Sequence, residues 1–480
     1  MSSTSLITSA GQLRDSFAGA IVLPNEVEYT EARAAYNSMI DRRPAVIAQC
    51  ATVGDVGAAV RLARQWAVPV AVRGGGHSVA GLGTCDGGVV IDLRHMNSVT
   101  VNTSSRTATV AGGATIGDLD RATQSHALAT TGGRVSTTGV GGLTLGGGTG
   151  WLDRKFGLAS DNLISVDLVT ADGSCVTASE DQNAELFWAL HGGGGNFGVA
   201  TSLSFRLHNL PAITAGVLLW PPEQATNVLA QYRDFMATAP DEASGAAIFG
   251  TGPDAEFVPP HLRGRLSLLV VVVYAGPRAQ AEEAFAPLLS VGSHGGFLRQ
   301  IPYVELQTMF DVPAGARHYW SAQHLSSLPD EAIEVMSDAA DQMLVPSLSE
   351  LDLYPGGGAA ARQRLDDPIP WRTAPWVAHP FGVWESPVDD DLCCNWAQRA
   401  RDSLAPWSTG AVYLNFIGHE GDSRVRAGYG DENYTRLANV KADYDPDNVF
   451  RFNHNVVPVR SQAQDGRVGG LGASTSARPQ

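Results

Sequence analysis

Glycine is concentrated in one short stretch of the chain, and this stretch limits what the surrounding sequence can form. Between residues 130 and 150, nine of 21 residues are glycine, at positions 132, 133, 139, 141, 142, 146, 147, 148 and 150. Glycine weakens helices and strands because it loses the most backbone entropy on ordering. We therefore predict a loop that passes very close to another backbone or to a ligand.

A second glycine loop lies about 60 residues earlier, where a predicted strand, Val68 to Val72, leads into Arg73-Gly74-Gly75-Gly76-His77-Ser78. Backbone N–H groups with no side chains in the way bind the oxygens of a pyrophosphate without basic residues. The two loops together, with His77 projecting from the first, predict a dinucleotide held along its length. The alternative is a pair of tight turns without a ligand.

The rest of the chain alternates short strands with amphipathic helices, which predicts an α+β fold. The length of 480 residues favours two domains. Thr52 can cap a helix from Val53 to about Trp66, and the apolar run Leu266 to Tyr274 reads as a buried strand. Further strands are predicted over Gly216–Trp220, Ala246–Gly250, Trp376–Glu385 and Ala411–Phe416, and further helices near Glu223–Met236, Arg278–Leu289, Asp330–Met343 and Asp389–Leu404.

Composition excludes several classes of function. The chain has 49 acidic and 33 basic residues, a net charge of −16, and such a surface repels nucleic acid and anionic lipid. No apolar run approaches the roughly 20 residues of a membrane-spanning helix, and the first residues lack an export signal. The five cysteines include no CxxC pair, so we expect no metal site and a cytoplasmic protein.

Two familiar patterns occur in the wrong structural context. Gly193-x-Gly195-x-x-Gly198 matches the dinucleotide fingerprint, but it follows a predicted helix and precedes a strand, the reverse of the Rossmann order. Around Cys85, the glycines at 83 and 87 resemble a nucleophile elbow, but a strand follows where a helix is required. A hydrolase built on Cys85 is therefore a remote alternative.

Four separate motifs together resemble one family. They are RGGGHS at residues 73–78, GVGGLTLGGGTG at 139–150, GGGGNFGV at 192–199, and YLNF at 413–416 followed by YDPDNVFRFNHN at 444–455. In this order and spacing they resemble the berberine-bridge-enzyme-like branch of FAD-linked oxidases, flavoproteins of the vanillyl-alcohol-oxidase fold, and especially its bacterial members. The resemblance runs from about Ala45 to Pro458.

The resemblance implies a particular architecture. It implies a PCMH-type FAD-binding domain of two α+β subdomains, formed by residues 1–206 and 417–460. A substrate domain over residues 207–416, an antiparallel sheet covered by helices, would be inserted between them. Residues 461–480 are small and polar, which predicts a disordered tail.

The resemblance also implies the cofactor and its contacts. His77 occupies the position whose imidazole is bonded covalently to the flavin 8α-methyl group, and many relatives add a second link through a cysteine at the position of Val135. The resemblance therefore implies FAD with a single covalent link, to His77. The implied cofactor-binding residues are Arg73, Gly74, Gly75, Gly76, His77, Ser78, Thr137, Thr138, Gly139, Gly141, Gly142, Gly147, Gly148, Gly198, Val199, Asn453 and Asn455.

The implied reaction is hydride transfer from a substrate C–H bond to flavin N5, with oxygen reoxidising the flavin to give hydrogen peroxide. Several relatives use a tyrosine at the position of Phe416 as base, and a phenyl ring cannot take a proton. Thr138 occupies a position that is often a valine controlling oxygen access. The candidate catalytic residues are Tyr413, Asn415, Asp352, His379 and Glu385, of which His379 and Glu385 share one side of a predicted strand.

The substrate stays open at this level. Family members oxidise sugars, primary alcohols, alkaloid amines and polyketide intermediates, so a role in secondary metabolism is expected, with a small-molecule substrate and O2 as partners. Five aromatic residues could stack on a flat ring or pack in a core, namely Tyr319, Trp320, Trp371, Trp376 and Trp384. The alternatives are a flavin dehydrogenase with another electron acceptor and a flavin carrier with little turnover. Both a monomer and a homo-oligomer are compatible with the sequence.

Overall fold

The computed structural model describes residues 3–313, 315–362 and 366–459, and the predicted tail over 461–480 lies outside them. The strands are β1 Ala20–Val22, β2 Val46–Gln49, β3 Val70–Arg73, β4 Val89–Asp92, β5 Val99–Asn102, β6 Thr107–Ala111, β7 Leu128–Ala129, β8 Leu163–Val169, β9 Cys175–Ser179, β10 Val199–Arg206, β11 His208–Asn209, β12 Ile213–Trp220, β13 Ala243–Thr251, β14 Leu266–Tyr274, β15 Gly295–Ile301, β16 Arg317–Trp320, β17 Gln323–Leu325, β18 Glu350–Pro355 and β19 Trp376–Trp384.

The α-helices are α1 Ser3–Leu13, α2 Tyr29–Arg33, α3 Val53–Trp66, α4 Ile116–Gln124, α5 Val140–Leu145, α6 Asp153–Phe156, α7 Ala184–Ala189, α8 Ala225–Met236, α9 Arg278–Ala284, α10 Ala286–Leu289, α11 Tyr303–Thr308, α12 Asp330–Ala340, α13 Asp390–Ser403, α14 Asp422–Tyr429 and α15 Asp431–Tyr444. Within the described residues, every helix is too short or too polar to traverse a lipid bilayer.

The amino-terminal part contains a four-stranded sheet with the order β1-β2-β4-β3. Strands β2, β4 and β3 are parallel, and β1 joins antiparallel at the edge. The connecting helix α3 begins at the predicted cap, where the Thr52 hydroxyl accepts a hydrogen bond from the Asp55 amide and the Asp55 carboxylate accepts one from the Thr52 amide. Since β3 ends at Arg73, the loop carrying His77 leaves the carboxyl edge of this sheet.

A five-stranded antiparallel sheet, with the order β5-β6-β10-β8-β9, follows in the same part of the chain. Its core contains Val110, Val166 and Leu203 from the strands together with Leu119 from α4. Val140 of the glycine-rich stretch is buried in the same core. The glycine-rich stretch is therefore anchored to a packed sheet.

The largest sheet is antiparallel, with the order β15-β12-β14-β13-β18-β19-β16, and β17 pairs with β19. Val270 and Val272 of β14 belong to the core that this sheet forms with α8, α12 and α13. Val271 and Val273 alternate with them and share a second core with Trp151, which follows the glycine-rich stretch. The molecule is thus an α+β protein whose antiparallel sheet has α8, α12 and α13 on one face and, on the other, α11 together with Trp151, which follows the glycine-rich stretch.

Two predicted elements are wrong. The stretch 130–150 is not all loop, because α5 forms within it between glycines that flank Val140–Leu145. Ala411–Phe416 is not a strand, since Leu414–Phe416 forms a 3-10 turn in which the Phe416 amide donates to the Tyr413 carbonyl over 3.0 Å. This local turn satisfies backbone groups that a strand would have needed a neighbour to pair.

The predicted helix over residues 278–289 is divided into α9 and α10 at Phe285. Pro287 lies in the first turn of α10, where its missing N–H costs nothing, whereas inside one continuous helix it would remove a hydrogen bond. Strands β15 to β18 were not predicted. Strands β16 and β17 are short, and β18 was missed although its polar and apolar residues alternate as in a strand.

Candidate active site

A cavity of about 320 Å³ opens between the glycine-rich segments and the largest sheet. One end is lined by residues from segments 73–79, 138–146 and 192–198, and the other end by aromatic side chains of the sheet. Among the described residues that line it, none is Asp or Glu, although the chain carries a net charge of −16, and both Arg73 and Arg134 line it. Both arginines lie near buried carboxylates, Arg73 within 3.9 Å of Asp92 and Arg134 within 3.7 Å of Asp153. The cavity is therefore suited to a ligand that is long and partly flat, and its lining sets no carboxylate against a negatively charged group.

The two predicted glycine loops touch each other. A Cβ atom on Gly75 would lie 2.3 Å from the amide nitrogen of Gly139, and a Cβ atom on Gly139 would lie 2.3 Å from that of Gly75. Gly142 differs, because a Cβ atom there would meet no protein atom within 4 Å although the residue lines the cavity. Gly75 and Gly139 thus serve the packing of the loops, while Gly142 keeps the cavity open.

Most of the predicted cofactor residues line the cavity: Arg73, Gly74, Gly75, Gly76, His77, Ser78, Thr138, Gly139, Gly141, Gly142, Gly198 and Asn453. Five lie outside the lining. Gly147 and Gly148 have φ angles of 112° and 82°, which few other residues adopt, so they shape the turn after α5. Val199 is buried in the core at the start of β10, and the Asn455 side chain accepts a hydrogen bond from the buried Lys441 ammonium over 3.0 Å. Thr137 contacts His77 through its hydroxyl oxygen, which lies 2.8 Å from Nε2 of the imidazole.

His77 is held by contacts on two sides. Its Nε2 atom lies 2.8 Å from the Thr137 hydroxyl oxygen, and its ring is stacked on that of Tyr36 with centroids 3.9 Å apart. Burial lowers the pKa of His77 to about 4, because desolvation disfavours the charged imidazolium. At neutral pH the imidazole is therefore uncharged, with a proton on one ring nitrogen and a lone pair on the other.

The other polar groups of the glycine-lined end are mostly engaged with the protein. The buried Arg73 guanidinium donates to the Ala32 carbonyl over 2.6 Å, and the Ser78 hydroxyl accepts from the Leu82 amide over 3.1 Å. The Asn453 amide group donates to the Gly195 carbonyl over 3.0 Å, but its Oδ1 atom is buried without a partner among the described residues. Asn453 therefore retains an unused acceptor beside the cavity.

The opposite end of the cavity is built from stacked rings. Trp320 and Phe381 lie with centroids 4.6 Å apart and 27° between their planes. His379 and Phe416 are nearly parallel, with centroids 4.2 Å apart and an interplanar angle of 3°. All four residues line the cavity, so its wall is flat and aromatic. Of the five aromatic residues singled out in the sequence, only Trp320 belongs to this lining, and Trp376 packs in the helix-covered core.

Tyr413 and Asn415 form a hydrogen-bonded pair at the centre of the cavity. The Asn415 amide nitrogen donates to the Tyr413 hydroxyl over 2.9 Å and lies 3.3 Å from the Gly142 carbonyl. Burial raises the pKa of Tyr413 to about 12. Tyr413 therefore keeps its proton at neutral pH and can donate a hydrogen bond, but it is a poor base.

His379 and Asp352 lie opposite each other on the paired strands β19 and β18. His379 Nδ1 donates to the Ser321 carbonyl over 2.8 Å, and burial lowers the pKa of the imidazole to about 4. Asp352 is fully buried, and this burial raises its pKa to about 7. Its Oδ2 atom accepts a hydrogen bond from the Tyr354 hydroxyl over 2.7 Å, whereas Oδ1 has no partner among the described residues.

Asp352 itself does not line the cavity, but Tyr354 does, so the carboxyl group reaches the cavity through the tyrosine hydroxyl. The Arg134 guanidinium lies 4.1 Å from the centroid of the Tyr354 ring. Its positive charge offsets part of the burial effect and favours the ionised form of Asp352. Glu350, on the same side of β18, has its pKa raised well above the ordinary value by burial and by the charge of Asp352.

Glu385 is placed differently from the prediction. Strand β19 ends at Trp384, and Glu385 is exposed beyond that end and does not line the cavity. Alternation along the strand would have placed it on the same face as His379, but the strand stops one residue too early.

Tyr354, Arg134 and Tyr36 were not predicted from the sequence. The signal for Tyr354 was present, because Glu350, Asp352 and Tyr354 alternate and must share one side of a strand. Tyr36 carries no such signal, since it lies in an irregular segment whose position depends on contacts distant in sequence. Among the described residues, no three His, Cys, Asp or Glu side chains are grouped to hold a metal ion.

Comparisons with known proteins agree with this geometry. A family model of the FAD binding domain matches residues 44–179, and a second model, described as berberine and berberine like, matches residues 412–457. Both matched regions contribute to the cavity, the first with the loop that carries His77 and the second with Tyr413, Asn415 and Asn453.

Relatives match over nearly the whole chain. An FAD-linked oxidoreductase of Bacillus subtilis is 30% identical over 92% of this chain and 97% of its own length. An (R)-6-hydroxynicotine oxidase of Paenarthrobacter nicotinovorans is 30% identical over 93% of this chain and 98% of its own. The crystal structure of 6-hydroxy-D-nicotine oxidase from Arthrobacter nicotinovorans superposes with a TM-score of 0.81, at 29% identity over 92% of this chain and 98% of that one. A glucooligosaccharide oxidase from Acremonium strictum, at 23% identity, shares the fold with a TM-score of 0.81 over 96% of this chain and 100% of that one.

Proposed function

The chain belongs to the berberine bridge enzyme-like family of FAD-linked oxidoreductases, and we propose that it is an oxidase that removes a hydride from a C–H bond of a small molecule in this cavity. The observation that carries the proposal is the continuity of the cavity. It joins a glycine-lined end beside His77 to a flat aromatic wall, so one space can hold both a dinucleotide and an oxidisable substrate.

The residues at the glycine-lined end fit FAD. Gly142 leaves open space that a side chain would fill, Asn453 offers an unpartnered acceptor, and acidic side chains are absent from the described lining. Bound FAD supplies the hydride acceptor and transfers the electrons to O2, giving hydrogen peroxide. His77 would carry the single covalent link, since the Val135 side chain on the cavity wall is a hydrocarbon and forms no thioether. In this proposal residues 1–206 and 417–460 hold the cofactor, and residues 207–416 hold the substrate.

The proton acceptor in the proposed reaction is the pair formed by Tyr354 and Asp352. A substrate O–H or N–H group at the aromatic wall gives its proton to the Tyr354 hydroxyl oxygen while Tyr354 gives its own proton to Asp352 Oδ2, 2.7 Å away. With a pKa of about 7, Asp352 is partly ionised at neutral pH and can accept that proton. Tyr413 and Asn415 then serve as hydrogen-bonding groups that orient the substrate, and His379, being uncharged, as an acceptor.

The substrate in this proposal is a small molecule with a flat region that stacks between the aromatic rings. The wall formed by Trp320, Phe381, His379 and Phe416 offers broad ring faces and few hydrogen-bonding groups. We place the enzyme in the cytoplasm, where its five cysteines, all free in the structure, stay reduced.

The first test is acid precipitation of the purified protein beside the His77→Ala variant. We expect yellow colour to stay in the wild-type pellet and to leave the variant. Colour that leaves the wild type would contradict the covalent link but not the flavoprotein, whereas a colourless protein that takes up no added FAD would contradict the function itself.

The second test separates the oxidase from the alternatives. Alcohols, amines and sugars are mixed with the enzyme without oxygen, and bleaching of the flavin identifies a substrate. We expect rapid return of the colour, and hydrogen peroxide, when O2 is added. Slow return with O2 but rapid return with an artificial acceptor would indicate a dehydrogenase, and failure of every compound to bleach the flavin would indicate a flavin carrier.

A further inference from the structure

The His77 imidazole is fixed in the structure by two independent contacts. The Tyr36 ring lies against one face, with centroids 3.9 Å apart and 21° between the planes. The Thr137 hydroxyl oxygen lies 2.8 Å from Nε2. Stacking fixes the plane of the imidazole, and the hydrogen bond fixes which nitrogen points toward Thr137.

We propose that Tyr36 and Thr137 form a clamp that positions His77 for attachment of the flavin through Nδ1. This inference rests on the proposed covalent link and assigns the residues that prepare it. Among the described residues, Nδ1 of His77 has no hydrogen-bond partner, so it is the nitrogen left for the flavin. With Nε2 carrying the proton toward Thr137, the lone pair lies on Nδ1.

Tyr36 also contacts the largest sheet, through His318 of β16. Its second face stacks on the His318 ring, with centroids 4.5 Å apart and 23° between the planes. The neighbouring Asn37 side chain donates to the Val79 carbonyl over 2.8 Å and to the His318 carbonyl over 2.9 Å, and its Oδ1 accepts from the His318 amide over 3.0 Å. These bonds tie the Tyr36 segment to β16 and to the loop after His77, so the three-ring stack cannot slide freely.

The Tyr36 hydroxyl is buried and lacks a hydrogen-bond partner among the described residues. A buried polar group without a partner is destabilising, because it has lost its hydrogen bonds to water. The hydroxyl therefore adds no stabilising hydrogen bond, and the clamp requires the ring of Tyr36 rather than its hydroxyl.

Thr137 suits the chemistry of attachment because a hydroxyl can both accept and donate. The new bond joins Nδ1 to the 8α carbon, one C–H bond of that methyl group breaks, and the proton on Nε2 is lost. Two electrons pass through the flavin to O2, which with the two protons gives hydrogen peroxide. Before attachment Thr137 accepts from Nε2–H, and afterwards it donates to the Nε2 lone pair, so the hydrogen bond persists throughout.

The test is the rate at which FAD becomes covalently attached to each variant, followed by flavin fluorescence on denaturing gels. We expect Tyr36→Phe to match the wild type, because the ring stack is retained. We expect Tyr36→Leu and Thr137→Val to attach flavin about 10-fold more slowly, equivalent to about 1.4 kcal/mol, since each loses a contact that orients the nucleophile. Thr107→Val, at the first position of β6 and outside the cavity lining, likewise removes a hydroxyl with one side-chain contact, to Ser105 over 2.8 Å; it controls for a threonine-to-valine change and should behave as wild type.

Attachment at the wild-type rate in both Tyr36→Leu and Thr137→Val, with none in His77→Ala, would overturn the clamp and leave the covalent link intact. A wild-type protein without covalent flavin would overturn both. Should Tyr36→Leu fail to fold, Thr137→Val decides alone, because it exchanges an exposed hydroxyl for a methyl group of similar size.

Discussion

The Phe416 ring lies parallel to the His379 imidazole, with centroids 4.2 Å apart and only 3° between the planes. The phenyl ring can take no proton, and it covers one face of an imidazole whose pKa burial has lowered to about 4. Neither residue is therefore suited to accept a substrate proton at neutral pH. The nearest group with a suitable pKa is Asp352, which lies opposite His379 on β18 and is connected to the cavity by the Tyr354 hydroxyl.

Replacement of Asp352 by Asn should slow reduction of the flavin by a hydroxyl-bearing substrate by about 10²–10⁴-fold, the usual contribution of a general base. In the wild type kcat/KM should rise as pH increases through about 7, because burial raises the pKa of Asp352 to that value and only the ionised form accepts a proton. The variant should lose this rise. Stopped-flow reduction across pH checks both.

Glu385→Gln is the matched control, since Glu385 is exposed and outside the cavity lining. It should retain the wild-type rate and pH profile. An unchanged profile in Asp352→Asn would exclude Asp352 as the proton acceptor.

Tyr354→Phe should reduce the same step about as strongly as Asp352→Asn, and the double variant should be no slower than the slower single one, because both residues act in one relay. Tyr354→Phe also removes a hydrogen bond that stabilises the ionised Asp352. The pKa of Asp352, and with it the pH at which any remaining activity rises, should therefore be higher in Tyr354→Phe than in the wild type. Tyr319→Phe is the control, as its hydroxyl contacts Gln398 and lies outside the cavity lining. Additive losses in the double variant would contradict the relay.

The residues of the glycine-lined end of the cavity could be brought together from the sequence because their signals are local. The RGGGHS segment, the glycine stretch and Asn453 converge on the cavity because glycine marks close approach wherever it is concentrated. Glu385 and Asn455 do not line the cavity, for physical reasons that a local sequence pattern does not contain. Strand β19 ends before Glu385, and Asn455 instead pairs with the buried Lys441.

The aromatic end of the cavity was harder to predict, because it is assembled from strands far apart in the chain. Tyr354 lies on β18 and Phe381 on β19, and their meeting with Phe416 depends on strand order rather than on local sequence. The clamp residue Tyr36 depends on the same kind of contact, since Asn37 reaches the backbone of His318. The periodicity of a sequence can assign a residue to one face of a helix or strand, but it cannot predict which other element packs against that face.

A side chain at Gly142 should block cofactor binding without harming the fold. A Cβ atom there meets no protein atom within 4 Å, and leucine is favoured over glycine in a helix by about 1 kcal/mol. Gly142→Leu should therefore keep the thermal stability of the flavin-free protein while its absorbance near 450 nm, relative to protein, falls several-fold. Gly54→Leu, at an exposed position of α3, should keep full flavin content. Full flavin content in Gly142→Leu would mean that the cofactor lies elsewhere.

Asp120→Asn should stabilise the protein at alkaline pH. Asp120 of α4 is fully buried, and burial raises its pKa to about 7. Its Oδ2 atom accepts from the Gln307 amide of α11 over 2.9 Å, while Asp120 Oδ1 and Gln307 Oε1 are both buried without partners among the described residues. An asparagine can keep the existing bond through its oxygen and offer its amide protons to Gln307 Oε1.

The sign follows from proton binding. Because the carboxyl pKa is about 7 in the folded protein and 3.8 when unfolded, the folded state binds more protons between these values. Asp120 therefore lowers the free energy of unfolding as pH rises from about 4 to about 7, and the loss stays constant at higher pH. Asn carries no charge, so the variant should be more stable than the wild type at about pH 8.5, by on the order of 1–3 kcal/mol, and close to it at about pH 4. Urea unfolding at the two pH values measures the difference. A variant that is less stable at both would show that the Asp120 carboxylate is stabilised in a way that its raised pKa does not predict.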